Sequence, residues 1–378
     1  MNKRTEGTEG TERTEGTERT ERTGRAGRTE SSTPDVAVVG GGIVGMSIAW
    51  RLTQRGLSVV VHDSAEASAL PAGRAGAWQV AAGMLAAGSE STFERPALAR
   101  LMAESARRWP DFAAELEKES GHELGYDRTG TLNVALTADD LAETARTWAY
   151  RGVPALRPGA VRELEPALSP RVRAGAHIPD DRQVDPRRVV AALRSMLPVT
   201  RSHVTQLSEV DAGTVVVAAG CGTAALTGLP VRPVKGQLLR LRGEPGLLRH
   251  VLSGVVDGQP VYLVPRADGE IVVGATQEER TDHAVTAGGV FELLRAAIAL
   301  VPALADFEIT EVLVGHRPAT PDNAPLLGVL DNVVVAAGHH RNGVLLAPIT
   351  ADLIAELVAT GHGDPMLDEF RPGRFSCG

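Results

Sequence analysis

With 378 residues, 43% of them hydrophobic, the chain has more apolar material than one typical core needs, so two domains are expected. A net charge of −8 argues against a nucleic-acid partner. Cys221 and Cys377 form no CxxC pair, which excludes a disulfide framework and points to a reducing cytoplasm. No membrane partner is expected either, because the most apolar late run, 343–358, is interrupted by Pro348, Asp352 and Glu356 and falls short of the ~20 residues of a span.

Residues 1–33 repeat Thr-Glu-Gly or Thr-Glu-Arg, and their seven Lys/Arg balance seven Glu. Nothing there can bury enough surface to offset the entropy of ordering, so a disordered tail is expected. It lacks the apolar stretch of a signal peptide and is too acidic for a mitochondrial transit sequence. Val36 to Val39 is a β-branched run ending in glycines, which reads as a buried strand. Gly40-x-Gly42-x-x-Gly45 then opens a helix carrying Ile48, Ala49 and Leu52 on its apolar side. Gly40 permits the tight turn, Gly42 lets a pyrophosphate approach, and Gly45 lets helix and strand pack closely. The free N–H groups and positive end of the helix face the phosphates. Gly56 ends the helix and Leu57 to Val61 forms the next strand. Asp63 follows 18 residues after Gly45, near the ~20 expected of the acid that holds the ribose hydroxyls. By itself the motif serves FAD and NAD equally.

The Gly/Ala-rich loop 71–76 leads into Ala77 to Leu85, whose small residues suit either close approach to a flat ligand or packing on the sheet. Pro96 to Gly121 reads as a helix that Pro110 should break or kink. Thr131 to Thr137 reads as a strand, Asp139 to Tyr150 as a helix, and Pro154 to Pro170 as irregular. Asp185 caps a helix to Leu197 with Pro186 at its first position. Val215 to Gly220 repeats the logic of the first strand and suits the same parallel sheet. Val231 to Arg242 and Val251 to Val256 read as antiparallel strands, and 260–274 as a hairpin turning at Asp268-Gly269. A helix over Phe291 to Leu300 precedes a strand, Phe307 to Gly315, that leads into Arg317 and a proline-braced turn. Asn332 to Gly338 is a last buried strand, before His339 to Gly343 and an apolar helix ending near Thr360. The fold class is α/β, with a parallel-sheet domain (34–93, 176–230 and 316–371) interleaved with an α+β domain on an antiparallel sheet (94–175 and 231–315). A flexible end follows over 372–378, and a cleft is expected between the domains.

Taken together, GGGIVG with His62-Asp63, AAGML (81–85), VYLVPR (261–266), VVGAT (272–276), GHRPATPD (315–322) and AAGHHRNGVLLAP (336–348) carry a name. From Pro34 to Phe370 the chain resembles the D-amino-acid oxidase superfamily of FAD-dependent oxidoreductases, most closely the glycine oxidases of thiamine biosynthesis. The resemblance implies a Rossmann-like FAD domain of the glutathione-reductase-like type, holding FAD without a covalent bond. Gly40, Gly42, Ile43, Val44 and Gly45 would lie at the pyrophosphate, Asp63 and Ser64 at the ribose, and Val204 near the adenine. Ala82, Gly83 and Met84 would lie against the flavin. His339, His340, Arg341, Asn342, Gly343, Val344 and Leu345 would wrap its pyrimidine edge.

On the substrate side the resemblance makes Arg317 the carboxylate clamp, a role suited to a planar guanidinium that grips at two points. Tyr262 would add a hydrogen bond, Arg341 a second cation, and Met84 a cover. Read without the resemblance, Arg317 also suits a structural ion pair, Tyr262 and Met84 suit core positions, and Arg341 suits solvent at a helix start. Arg266, beside a hairpin turn, reads as solvated. No general base stands out, consistent with direct hydride transfer to flavin N5. The implied activity is oxidation of glycine, with sarcosine or small D-amino acids as further substrates, to an imine that supplies the thiazole of thiamine. Dioxygen would be the acceptor, giving H2O2, and a homo-oligomer is left open.

Rival readings are a sarcosine or secondary-amine oxidase, a D-amino-acid dehydrogenase, a flavin-binding protein without turnover, and an NAD-dependent dehydrogenase. The first often tethers its flavin through a cysteine near the position of His316-Arg317, where this sequence has none. No metal is expected, since His339 and His340 are adjacent and lack further ligands at a workable spacing. Two departures from the family pattern stand out: Pro260, where some glycine oxidases carry histidine, and a short 199–217 span, which weakens the assignment of Val204.

Overall fold

The computed structural model describes residues 33–64, 76–90 and 95–375. The expected tail lies, except for Thr33, outside the described residues, as do 71–75 of the Gly/Ala-rich loop and 376–378. Among the described residues no helix is long and apolar enough to cross a membrane.

Two sheets organise the chain. The first has six strands, in spatial order Leu326–Leu330, Val333–Ala337, Thr214–Val217, Val36–Val39, Val59–Asp63 and Val199–Arg201. All neighbours are parallel except the first pair, a hairpin. Val36–Val39 is buried throughout because strands flank it on both sides and helix Ile43–Gln54 packs against it. The second sheet has seven strands, Glu308–Ala319, Arg232–Arg242, Glu270–Gly274, Gln259–Pro265, Val251–Val256, Thr131–Ala135 and Ala174–Ile178. It is antiparallel except where Val251–Val256 runs parallel to Thr131–Ala135. Met84–Leu85 pairs separately with Arg182–Gln183.

Each sheet has its own core. Helices Ile43–Gln54, Pro96–Ser120, Pro186–Met196 and Ala347–Thr360 pack their apolar sides into the cluster of the first sheet. Helix Ala287–Leu300 does the same for the second. Local caps account for several helix starts. Asp185 accepts from the Arg187 amide at 2.9 Å with Pro186 following, and Thr137 and Asp140 exchange bonds in a capping box.

Four expectations need correction. Pro96–Ser120 runs on through Pro110 as one helix. Proline in a helix interior costs about 3 kcal/mol, and burial of Trp109, Phe112 and Leu116 outweighs that, with Phe112 edge-on to Trp50 at 5.1 Å. Within the stretch expected to be irregular, Pro158–Leu164 is a helix started by its own proline. The strand thought to stop at Gly315 continues to Ala319, so Arg317 stands on a strand rather than before a turn. Pro318 is tolerated there because this is an edge strand. Finally, residues 372–375 form a 3-10 turn in place of a loose end, and Arg374 fastens it by bonds of 3.0 Å to both oxygens of Asp322.

Candidate active site

A cavity of about 720 Å³ runs along the carboxyl ends of the parallel strands, where open α/β sheets bind ligands. Gly40, Gly42, Ile43 and Val44 line one end, with Asp63 and Ser64 beside them. Gly45 lies behind, where a Cβ would run into the Gly40 carbonyl oxygen, so its missing side chain sets the turn rather than the wall. Val204 lines the same cavity, as do Ala82, Gly83 and Met84 further along, and His339, His340, Arg341, Gly343 and Val344 at the far end. Asn342 and Leu345 do not line it. The Leu345 carbonyl turns the other way and accepts from Ser105 Oγ at 2.6 Å and Trp109 Nε1 at 2.9 Å.

Three further residues shape this cavity, of which Arg194 carries no signal in the sequence. Arg194, on the last turn of helix Pro186–Met196, forms an ion pair with Asp63 and donates to the Gly41 carbonyl at 3.0 Å. It thereby fixes the expected ribose acid against the glycine turn. Arg266 is not solvated. Its Nη2 donates to the Ala82 carbonyl at 2.5 Å and its Nη1 to Gln183 at 3.0 Å, bracing the 82–84 segment from behind. Cys221 lines the cavity with its Sγ 3.7 Å from the His316 carbonyl, so a thiol does lie beside position 316 in space. Burial pushes that thiol up to about 11, which keeps it protonated and a poor nucleophile at neutral pH.

His339 is buried and bonds Thr350 Oγ1 through Nε2 at 3.1 Å, and burial holds its pKa down to about 4 from the ordinary 6.5. Below pH 6.5 the unfolded chain takes up a proton that the folded state refuses. Stability present above pH 6.5 is therefore lost as the pH falls toward 4, by on the order of 3 kcal/mol. Burial and the nearby Arg317 and Arg341 hold the neighbouring His340 down to about 4 as well. Thermal unfolding followed from pH 7.5 to 4.5 should therefore show a loss from both, and His339→Gln should reduce its slope without abolishing it.

A second cavity of about 630 Å³ adjoins the second sheet. Six residues line both cavities, namely Met84, Glu90, Tyr262, Ala275, Arg317 and Arg341, so the two meet where these stand. Arg317 is held by its strand, and its Nη1 donates to the Thr276 carbonyl at 3.2 Å. Gly236, on the neighbouring strand, leaves the space that the guanidinium fills, since a Cβ there would lie 2.5 Å from Nη1. Gly274 does the same for the Tyr262 ring, which it faces across the strand pair. Burial raises the Tyr262 phenol and Arg317 opposes that shift, so the hydroxyl stays protonated and can donate at neutral pH. Burial lowers the Arg317 guanidinium, but arginine remains charged all the same. Arg341 Nη2 pairs with Glu90 at 3.1 Å. Glu90, six residues after Met84, was legible only as an acid near the AAGML stretch.

A long cradle with a glycine turn and helix start at one end opens at the other onto a second chamber lined by Arg317 and Arg341, the layout of a dinucleotide-dependent oxidoreductase. The chain belongs to the FAD dependent oxidoreductase family, whose model matches residues 35–357. The cavity fits FAD on its own evidence, because Gly42, Gly220 and Gly222 line it without crowding it and the first turn of helix Ile43–Gln54, which has no side-chain cap, faces it with its N–H groups. The bifunctional protein ThiO/ThiG of Synechocystis sp. is 36% identical over 373 residues, covering 91% of this chain and 54% of that protein. The chain thus spans about half the length of the bifunctional relatives it matches. The glycine oxidase of Geobacillus kaustophilus is 34% identical over 358 residues, covering 86% of this chain and 92% of that one. The crystal structure of glycine oxidase from Geobacillus kaustophilus superimposes with a TM-score of 0.78 at 31% identity, covering 91% of this chain and 99% of that one.

Proposed function

We propose that the protein is a cytoplasmic amino-acid oxidase that converts glycine to its imine with dioxygen as electron acceptor. The imine would supply the thiazole of thiamine or hydrolyse to glyoxylate. One observation carries this reading. Arg317 and Tyr262 stand at the junction of the cofactor cavity and the smaller chamber, where a bound carboxylate would present its α-carbon to the cofactor side. FAD, when bound, supplies a hydride acceptor.

The chain's own residues do the rest. The Arg317 guanidinium holds the carboxylate at two points and Tyr262 Oη donates to it, so the substrate turns about one fixed handle. Met84 and Ala275 line the same junction and would flank the substrate's α-carbon. The protonated state of Cys221 supports a flavin held without a covalent bond. We also take 34–93, 176–230 and 320–371 as the cofactor domain and 94–175 with 231–319 as the substrate domain. The last boundary is moved from 315 because strand Glu308–Ala319 belongs wholly to the second sheet.

The test is steady-state product analysis with glycine, sarcosine, D-alanine and L-alanine. Glyoxylate, ammonia and peroxide in equal amounts from glycine would support the assignment. Turnover of L-alanine with none on glycine would overturn it.

A further inference from the structure

The junction holds two guanidiniums, and only one is needed to grip a single carboxylate. Resting on the reading above, we infer that Glu90 is a specificity-determining residue: its carboxylate occupies Arg341, so the chamber admits amino acids with one anionic group and rejects those with two.

Glu90 is presented by a pinned turn. The buried Asp181 carboxylate accepts from the Gly88 amide at 2.9 Å and from Ser89 Oγ at 2.6 Å, and the Glu90 amide donates to the Ala86 carbonyl at 2.9 Å. From there Glu90 Oε1 lies 3.1 Å from Arg341 Nη2. Both residues line both cavities, and Arg317 lies within the electrostatic reach of each.

Counting charge at the junction gives two cations and one anion, a net single positive charge complementary to one carboxylate. Other ionisable groups nearby leave this count intact. Glu278, which lines the smaller chamber, is engaged by Gln237 at 2.7 Å and Lys235 at 3.5 Å. Glu292 also lines the smaller chamber, but it is exposed to water on helix Ala287–Leu300 and does not line the cofactor cavity, so it lies off the junction. Arg151 lies in the field of Asp181 and Glu90 but lines neither cavity. A second carboxylate entering the chamber must therefore displace Glu90 from Arg341 and leave it beside a like charge, which is the repulsive element that specificity needs.

The test compares ligand affinities on the flavin-loaded protein through perturbation of the visible flavin spectrum. Acetate represents one carboxylate, and the best of malonate, succinate and glutarate represents two. In Glu90→Gln the affinity for the dicarboxylate relative to acetate should rise at least tenfold over the wild type. In Glu90→Gln/Arg341→Met it should return to within about twofold of the wild-type ratio. An unchanged ratio in Glu90→Gln, or a rise that persists in the double variant, overturns the inference. The readout needs no turnover. If the ratio rises in a protein that does not oxidise glycine, the inference stands and the assigned reaction falls. If glycine is oxidised and the ratio does not move, the reaction stands and the inference falls.

Discussion

Arg317→Leu should lower kcat/KM for glycine by roughly 30- to 1000-fold, the effect of losing about 2–4 kcal/mol from a buried charge-assisted pair. Two features place the expectation high in the usual range. The guanidinium is half-enclosed by Gly236 and the Thr276 carbonyl, so water replaces it poorly. Its removal also leaves Arg341 tied to Glu90 as the remaining cation, and that pair is already neutralised. KM should rise as well as kcat fall, because the handle acts both in binding and in aiming the α-carbon. Arg317→Lys should recover only part of the loss, since an ammonium on a flexible stem offers no planar fork. The flavin content of both variants should match the wild type, which separates loss of the clamp from loss of the cofactor. Near-normal kinetics in Arg317→Leu would remove the clamp from the account.

The second large effect is expected at Gly45. Its Cβ position is already taken by the Gly40 carbonyl oxygen, with the Gly40 carbonyl carbon at 3.1 Å and Ala218 Cβ at 3.2 Å. All of these belong to tightly packed strand ends and none is the free tip of a flexible side chain. A valine there must push helix Ile43–Gln54 away from the turn, opening the contact that aims its N–H groups at the phosphates. Overpacking of this kind costs about 1–3 kcal/mol in stability. Its effect on cofactor binding should be larger, because the N–H groups that would meet the pyrophosphate move with that helix. Gly45→Val should be isolated with under about a tenth of the wild-type flavin, read as the ratio of 450 nm to 280 nm absorbance. Far-ultraviolet circular dichroism should stay close to wild type, since the sheet core does not depend on the turn.

The sequence made the cofactor half readable because its logic is local. Strand, glycine turn, helix, strand and acid follow one another between Val36 and Asp63, and Asp185-Pro186 announces its own helix. What escaped is held together across long stretches of chain. Arg194 meets Asp63 from 131 residues away, Arg266 meets the Ala82 carbonyl from 184, and Arg341 meets Glu90 from 251. No periodicity or spacing announces such pairs, and Arg266 beside a hairpin turn looked like a surface arginine for that reason. Pro110 and Pro318 misled in the same way. Local rules make each a breaker, while tertiary packing in one case and an edge position in the other decide the outcome. Arg317 and Tyr262 were named by resemblance to a family rather than by pattern. The shelf that Gly236 and Gly274 cut beneath them is visible only in three dimensions.

The central claim is that a guanidinium at the mouth of the cofactor cavity delivers a one-carboxylate amino acid to the flavin. Anaerobic titration of the flavin-loaded protein with glycine tests it most directly. The account predicts full loss of the 450 nm band within the mixing time of a substrate, and slow, incomplete loss in Arg317→Leu. A band that persists at saturating glycine in the wild-type protein contradicts it.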